Sequence, residues 1–147
     1  FDQAQCCLQR SKRSNAPFAL LVIDLNDFKQ INDQLGHKAG DAVLLHLGHR
    51  LRAGFRDTDF IGRLGGDEFG VLLEPAETDH GVDEVMRRFN AIGAGEFEVD
   101  GHSVSYHFAV GTALYPRDGA TVLQLYEAAD AAMDQSKKGV PSAFIWT

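Results

Sequence analysis

Disulfide chemistry has almost nothing to work with in this chain. Of 147 residues only two are cysteines, and they are the neighbours Cys6 and Cys7. Adjacent cysteines make a poor bridge, so a disulfide framework is excluded. The sequence has no Cys-x-x-Cys, and its six histidines include no His-x-x-x-His pair, which argues against a zinc site. No apolar run approaches the ~20 residues of a membrane-spanning helix. A basic start followed by an apolar stretch and a small-residue cleavage site is also missing, so no secretory signal is expected. Clustered positive charge is lacking: 14 Lys and Arg face 21 Asp and Glu, for a formal net charge of -7. That balance argues against a surface for nucleic-acid polymers. It is compatible with a small phosphorylated ligand, because a divalent cation bridges acid to phosphate. Repeats, low-complexity segments and linkers are absent. The expectation is one domain over residues 1–147, cytoplasmic, with any membrane anchor lying in flanks outside this sequence.

What is present reads as alternating strands and helices. Residues 1–15, "FDQAQCCLQRSKRSN", predict a helix continued from a preceding flank and broken at Asn15-Ala16-Pro17. "FALLVIDL" is apolar almost throughout, which suits a central strand buried on both faces. Phe28, Ile31 and Leu35 recur at helical spacing and stop at Gly36. After a "GHKAGD" loop, Val43, Leu44, Leu47 and Leu51 form the stripe of a second helix. "TDFIGRL" and "EFGVLLE" read as a hairpin turning at Gly65-Gly66. Val82, Val85, Met86, Phe89 and Ile92 mark a third helical stripe. Asp100-Gly101 predicts another hairpin, Thr121 and Gln124 a capping box for a last helix ending near Gly139, and "SAFIWT" a closing strand. Hairpins require antiparallel strands and helical crossovers favour parallel neighbours, so the expected fold is α/β with a mixed central sheet of about five strands flanked by helices, plus a small β-hairpin.

Two acids interrupt the apolar chain in "RLGGDEFGVLL". If the strands around them neighbour "FALLVIDL", Asp24, Asp67 and Glu68 converge. Such carboxylates repel and are costly to desolvate, and a hard divalent cation removes that cost. Gly65 and Gly66, without side chains, let another molecule approach the backbone. Metal beside an open turn is what phosphoryl transfer to a nucleotide needs. Taken singly, each acid reads more simply as a turn residue or helix cap, a job Asp24 or Asn26 could do. An EF-hand is rejected for "DLNDFKQINDQLG", because Phe28 and Lys29 fall where a ligand and a glycine are required. A Walker A motif is absent.

"RLGGDEF", preceded by "DLNDFKQINDQLGHKAGD", closely resembles the GGDEF family of diguanylate cyclases, from about Phe18 to about Lys137. The resemblance implies a palm-like fold related to nucleotidyl cyclases and polymerases. It implies condensation of two GTP molecules into cyclic di-GMP with release of pyrophosphate, across a homodimer. By this resemblance Asp24 and Asp67 are ligands of Mg²⁺ (or Mn²⁺), helped by the Leu25 carbonyl. Glu68 holds a second cation or helps remove the ribose 3′-hydroxyl proton. Asn32 and Asp41 match guanine-reading positions, where a carboxylate accepts from N1 and N2 hydrogens and an amide donates to O6 or N3. The plain alternatives are a polar helix face for Asn32 and a helix cap for Asp41. Phe28 and Lys29 fit the same substrate-binding pattern, and Lys137 matches a phosphate-contacting lysine, although a lysine at a helix C-terminus is usually only solvated.

"RDTD" places Arg56 and Asp59 three apart, with five residues between Asp59 and Gly65. This matches the family's product-inhibition motif, to which Arg87 or Arg88 would add a further arginine. Without the neighbouring motif, Arg56 and Asp59 read as a surface pair worth ~0 to 1 kcal/mol. Asn26, Asp134 and Pro141 depart from the family pattern, Pro141 standing where a phosphate-binding arginine is expected. These departures keep open an alternative: a weak or inactive domain that senses GTP or cyclic di-GMP and regulates an attached phosphodiesterase or sensory domain. A purely structural dimerisation module is the least economical option, because it leaves the acids without a role.

Overall fold

A computed structural model describes residues 2–25, 28–55, 59–65, 68–73, 87, 94–99, 101–136 and 144–146. Helix α1 (Asp2–Ser14) leads into strand β1 (Phe18–Leu25). Asn15 ends α1 with φ 57°, and its N–H bonds the Ser11 carbonyl at 2.9 Å. Asparagine tolerates this left-handed conformation, and Pro17 beyond it prevents the helix from continuing.

Strand β1 is buried along nearly its whole length, as its apolar run predicts. Its alternating residues feed two cores, because successive side chains point to opposite faces. Ala19, Leu21, Ile23 and Leu25 meet Ile31 of α2 (Phe28–Leu35) and Val43, Leu47 and Leu51 of α3 (His37–Gly54). Phe18, Leu20 and Val22 meet Cys7 and Leu8 of α1 and Leu125, Ala129 and Met133 of α4 (Val122–Ser136). The result is a helix–sheet–helix sandwich with β1 at its centre. Among the described residues, no helix is long and apolar enough to cross a membrane.

The remaining strands are β2 (Phe60–Gly65), β3 (Glu68–Leu73), β4 (Ala94–Val99), β5 (His102–Tyr115) and β6 (Phe144–Trp146). They lie in the order β2-β3-β1-β5-β4, and β6 pairs β5. Both expected hairpins are present: Gly65 pairs Glu68, and Val99 pairs His102 beside Gly101 at φ 79°. The α/β layering holds, but the parallel neighbours do not. Every pairing among the described strands is antiparallel. The crossover through α2 and α3 does deliver β2 parallel to β1, yet the hairpin returns β3 into the space between them.

A second correction concerns "GHKAGD". It is not a loop: α3 starts at His37, directly after Gly36. One left-handed residue, Gly36 at φ 90°, makes the whole corner between α2 and α3. Its N–H closes α2 on the Asn32 carbonyl at 2.7 Å, and its own carbonyl accepts from the Gly40 N–H at 3.0 Å. Asp41 therefore lies inside α3 and does not cap it. The capping box of α4 is present, with Gln124 N–H on Thr121 Oγ1 at 3.1 Å. The Gln124 side chain reaches back one residue further than expected, to the Ala120 N–H at 2.9 Å. The third helical stripe and the end of the last helix near Gly139 lie outside the described residues.

Candidate active site

Asp24 is the penultimate residue of β1 and Glu68 the first of β3. The antiparallel register sets them directly opposite each other, both half-buried. Opposed residues share a face of the sheet, so two carboxylates stand side by side on the α1/α4 side. Asp24 Oδ1 is shielded from solvent. A bulge between Arg63 and Gly65 precedes the pair on β2, and bulges re-aim the strand at such rims.

Tyr126 of α4 joins this pair. Its hydroxyl donates to Glu68 Oε1 at 2.6 Å. The bond to Glu68, then burial, then the negative charges of Glu68, Asp130 and Asp24 push its pKa up to about 12. The phenol thus stays a donor throughout the physiological range. Helix α4 can sit this low because Gly111 lies beneath it. A Cβ at Gly111 would strike the backbone of Ala129 and Met133.

On the other face, α2 and α3 meet closely. Asn32 is half-buried, and its Oδ1 is buried with no hydrogen-bond partner among the described residues. It lies where a side chain at Gly40 would have to go, next in sequence to Asp41. Asp41 is exposed and lines an open groove of about 580 Å³ with Gly48, His49, Arg52, Arg63 and Phe69. Phe28 is buried in the core between the two helices, and Lys29 is exposed. The side chain of Leu25 is core, and its carbonyl ends β1.

The proposed inhibitory residues are seen only in part. Asp59 is 2% exposed, and its carbonyl accepts from Arg52 Nη1 at 2.8 Å. That burial does not describe a surface ion pair. Arg87 is helical and exposed. Asp67, Gly66, Lys137, Arg56 and Arg88, with Asn26 and Pro141, lie outside the described residues; Gly65 ends β2, and Asp134 is exposed on α4.

Among the described residues no group of three potential metal-binding side chains comes together. Two of the expected three carboxylates do, in Asp24 and Glu68. Carboxylate oxygens are donors of the kind that suit Mg²⁺ or Mn²⁺ and not a soft metal. Sequence reasoning missed Tyr126, whose partner is 58 residues away. It also missed the groove residues His49, Arg52 and Arg63, of which Arg63 stood in plain view two residues before the double glycine.

The comparisons with known proteins agree with this geometry. Residues 1–140 match the family described as "Diguanylate cyclase, GGDEF domain". The bifunctional diguanylate cyclase/cyclic di-GMP phosphodiesterase MucR of Pseudomonas aeruginosa is 37% identical over 145 residues, covering 94% of this chain and 21% of MucR. The diguanylate cyclase TpbB of the same organism is 40% identical over 134 residues, covering 89% of this chain and 30% of TpbB. This chain thus spans between a fifth and a third of the length of these relatives. The crystal structure of the GGDEF domain of Pseudomonas aeruginosa YfiN or TpbB superimposes with a TM-score of 0.85 at 37% identity, covering 92% of this chain and 84% of that one. With the hairpin, the acid pair and the helix corner all in the same chain that carries this match, the protein belongs to the GGDEF domain family of diguanylate cyclases.

Proposed function

We propose that this domain condenses two GTP molecules into cyclic di-GMP. The observation that carries the proposal is the direct opposition of Asp24 and Glu68 at the end of β1 and the start of β3, with Asp67 next to Glu68 in sequence. Asp24, Glu68, Asp67 and the Leu25 carbonyl would hold Mg²⁺ or Mn²⁺. When bound, the cations supply Lewis-acid polarisation of the α-phosphate and the 3′-hydroxyl.

The chain's own residues do the rest. Asp41 accepts from the N1 and N2 hydrogens of guanine, and the buried amide oxygen of Asn32, without a partner among the described residues, makes a further guanine contact favourable. Phe28 walls the pocket, while Lys29 and Lys137 balance phosphate charge. The glycines Gly65 and Gly66 let the nucleotide lie against the backbone. The 3′-oxygen of one GTP bonds to the α-phosphorus of the other, the bond to the β-phosphate oxygen breaks, and pyrophosphate leaves. Glu68 receives or positions the 3′ proton. Each domain holds one GTP, so two domains must meet face to face for both bonds to form. Arg56 and Asp59, with Arg87 or Arg88, bind product and slow the enzyme. The reaction draws on GTP, which places the domain in the cytoplasm.

The test is incubation of a coiled-coil-dimerised chain with Mg-GTP, with products identified by mass. Cyclic di-GMP from the native chain and none from Asp67→Ala supports the proposal. Equal output from both rejects it. The bifunctional name of MucR favours a second reading, a nucleotide sensor attached to a phosphodiesterase. Calorimetry showing tight binding of GTP or cyclic di-GMP without turnover would select it.

A further inference from the structure

We propose that Tyr126 is a positioning residue: its hydroxyl holds one carboxylate oxygen of Glu68 and so presents the other beside Asp24. The inference rests on the cyclase reading of Glu68. Its own basis is the 2.6 Å bond from Tyr126 Oη to Glu68 Oε1, made between α4 and the first residue of β3.

The physical need for such a bond comes from the register. Glu68 stands directly opposite Asp24. Like charges opposed across a strand pair repel, and a glutamate has three side-chain torsions with which to swing away. The tyrosine hydroxyl opposes that escape. It uses one carboxylate oxygen and leaves the second, with its lone pairs, for a cation or a ribose hydroxyl.

The rest of the tyrosine is placed to make this reach reproducible. Its ring lines a cavity of about 140 Å³ with Leu20, Leu64 and Leu72, over the paired glycines Gly62 and Gly70. An apolar ring in an apolar wall with its hydroxyl on a polar partner is the arrangement tyrosine suits best. Gly111 fixes the height of α4 above the sheet, and with it the position from which Tyr126 reaches. A simple tether between helix and sheet needs only some acceptor; this one grips the carboxylate that the proposed chemistry uses.

The test compares the dimerised native chain with Tyr126→Phe, Glu68→Gln and the double variant. Three quantities are measured: kcat and KM for GTP, Mn²⁺ affinity by EPR with a non-reactive GTP analogue, and the melting temperature. Phenylalanine keeps the ring and loses only the hydroxyl. Tyr126→Phe should lower kcat and weaken Mn²⁺ binding by about tenfold each, as loss of a carboxylate's supporting partner does, with KM unchanged. It should add nothing further in the Glu68→Gln background. A Tyr126→Phe chain with native kcat and Mn²⁺ affinity, beside a dead Glu68→Gln chain, overturns the positioning role and leaves the cyclase reading standing. Native behaviour from both single variants overturns the role of Glu68 and the inference together. If the native chain makes no cyclic di-GMP, the Mn²⁺ arm still decides: weaker binding in Tyr126→Phe supports the inference, and equal binding overturns it.

Discussion

Asp24 and Glu68 face each other directly across the β1–β3 pair, two like charges in one opposed position of the ladder. The sheet therefore keeps two like charges together at a cost to its own stability. Asp24→Asn should raise the unfolding free energy by roughly 0.2 to 1 kcal/mol in the absence of divalent cations. Adding Mg²⁺ should stabilise the native chain and leave the variant unmoved. Urea melts with and without Mg²⁺ check both halves of this expectation.

Gly40 separates stability from substrate recognition. A Cβ there would displace the Asn32 side chain, which can rotate away, and not a rigid backbone. Alanine also favours a helix interior over glycine by about 1 kcal/mol. Gly40→Ala should therefore melt no lower than the native chain. Its KM for GTP should rise, by about tenfold if Asn32 loses one buried hydrogen bond to guanine. Steady-state kinetics with GTP read this directly.

Gly111 has no such freedom, because its missing Cβ is replaced by the backbone of Ala129 and Met133. Gly111→Ala must lift α4 off the sheet. The expected loss is about 1 to 3 kcal/mol, in the range of overpacked cores. Denaturant unfolding followed by circular dichroism checks it.

Asp118 makes stability depend on acid pH. Its carboxyl is held below its ordinary value of 3.8, first by the hydrogen bond from Arg117 and also by the Leu114 N–H, against an opposing push from burial. A depressed carboxylate contributes fully above its unfolded pKa, and the contribution disappears as pH falls through the folded value. Asp118→Asn should lower stability by about 1 kcal/mol at pH 6, the worth of a typical hydrogen bond. The gap between the two chains should close as the pH drops below 3.8. Melts at a series of acid pH values show whether it does.

Local chemistry made much of this fold legible. The apolar run of β1, the β2–β3 hairpin pairing, the turn before His102 and the Thr121–Gln124 cap all announce themselves within a few residues. What failed was non-local. The strand neighbouring β1 could not be read, because nothing near β1 says that β3 will enter between it and β2. Gly40 was read as part of a loop, while it lies inside α3 and admits Asn32 from another helix. Asp59 looked like a surface acid and is buried. Tyr126 was indistinguishable from an ordinary core aromatic, since its hydroxyl partner lies 58 residues upstream. The acids themselves were visible early; their register needed the sheet.

Turnover by the Asp24→Asn chain is the sharpest measurement. A dimerised native chain and this variant are given Mg-GTP, and cyclic di-GMP is quantified by mass over time. The account predicts steady product from the native chain and a fall of at least about 100-fold in the variant, since removing a direct cation ligand costs more than removing its supporting partner. Equal rates of cyclic di-GMP formation from the two chains would contradict it.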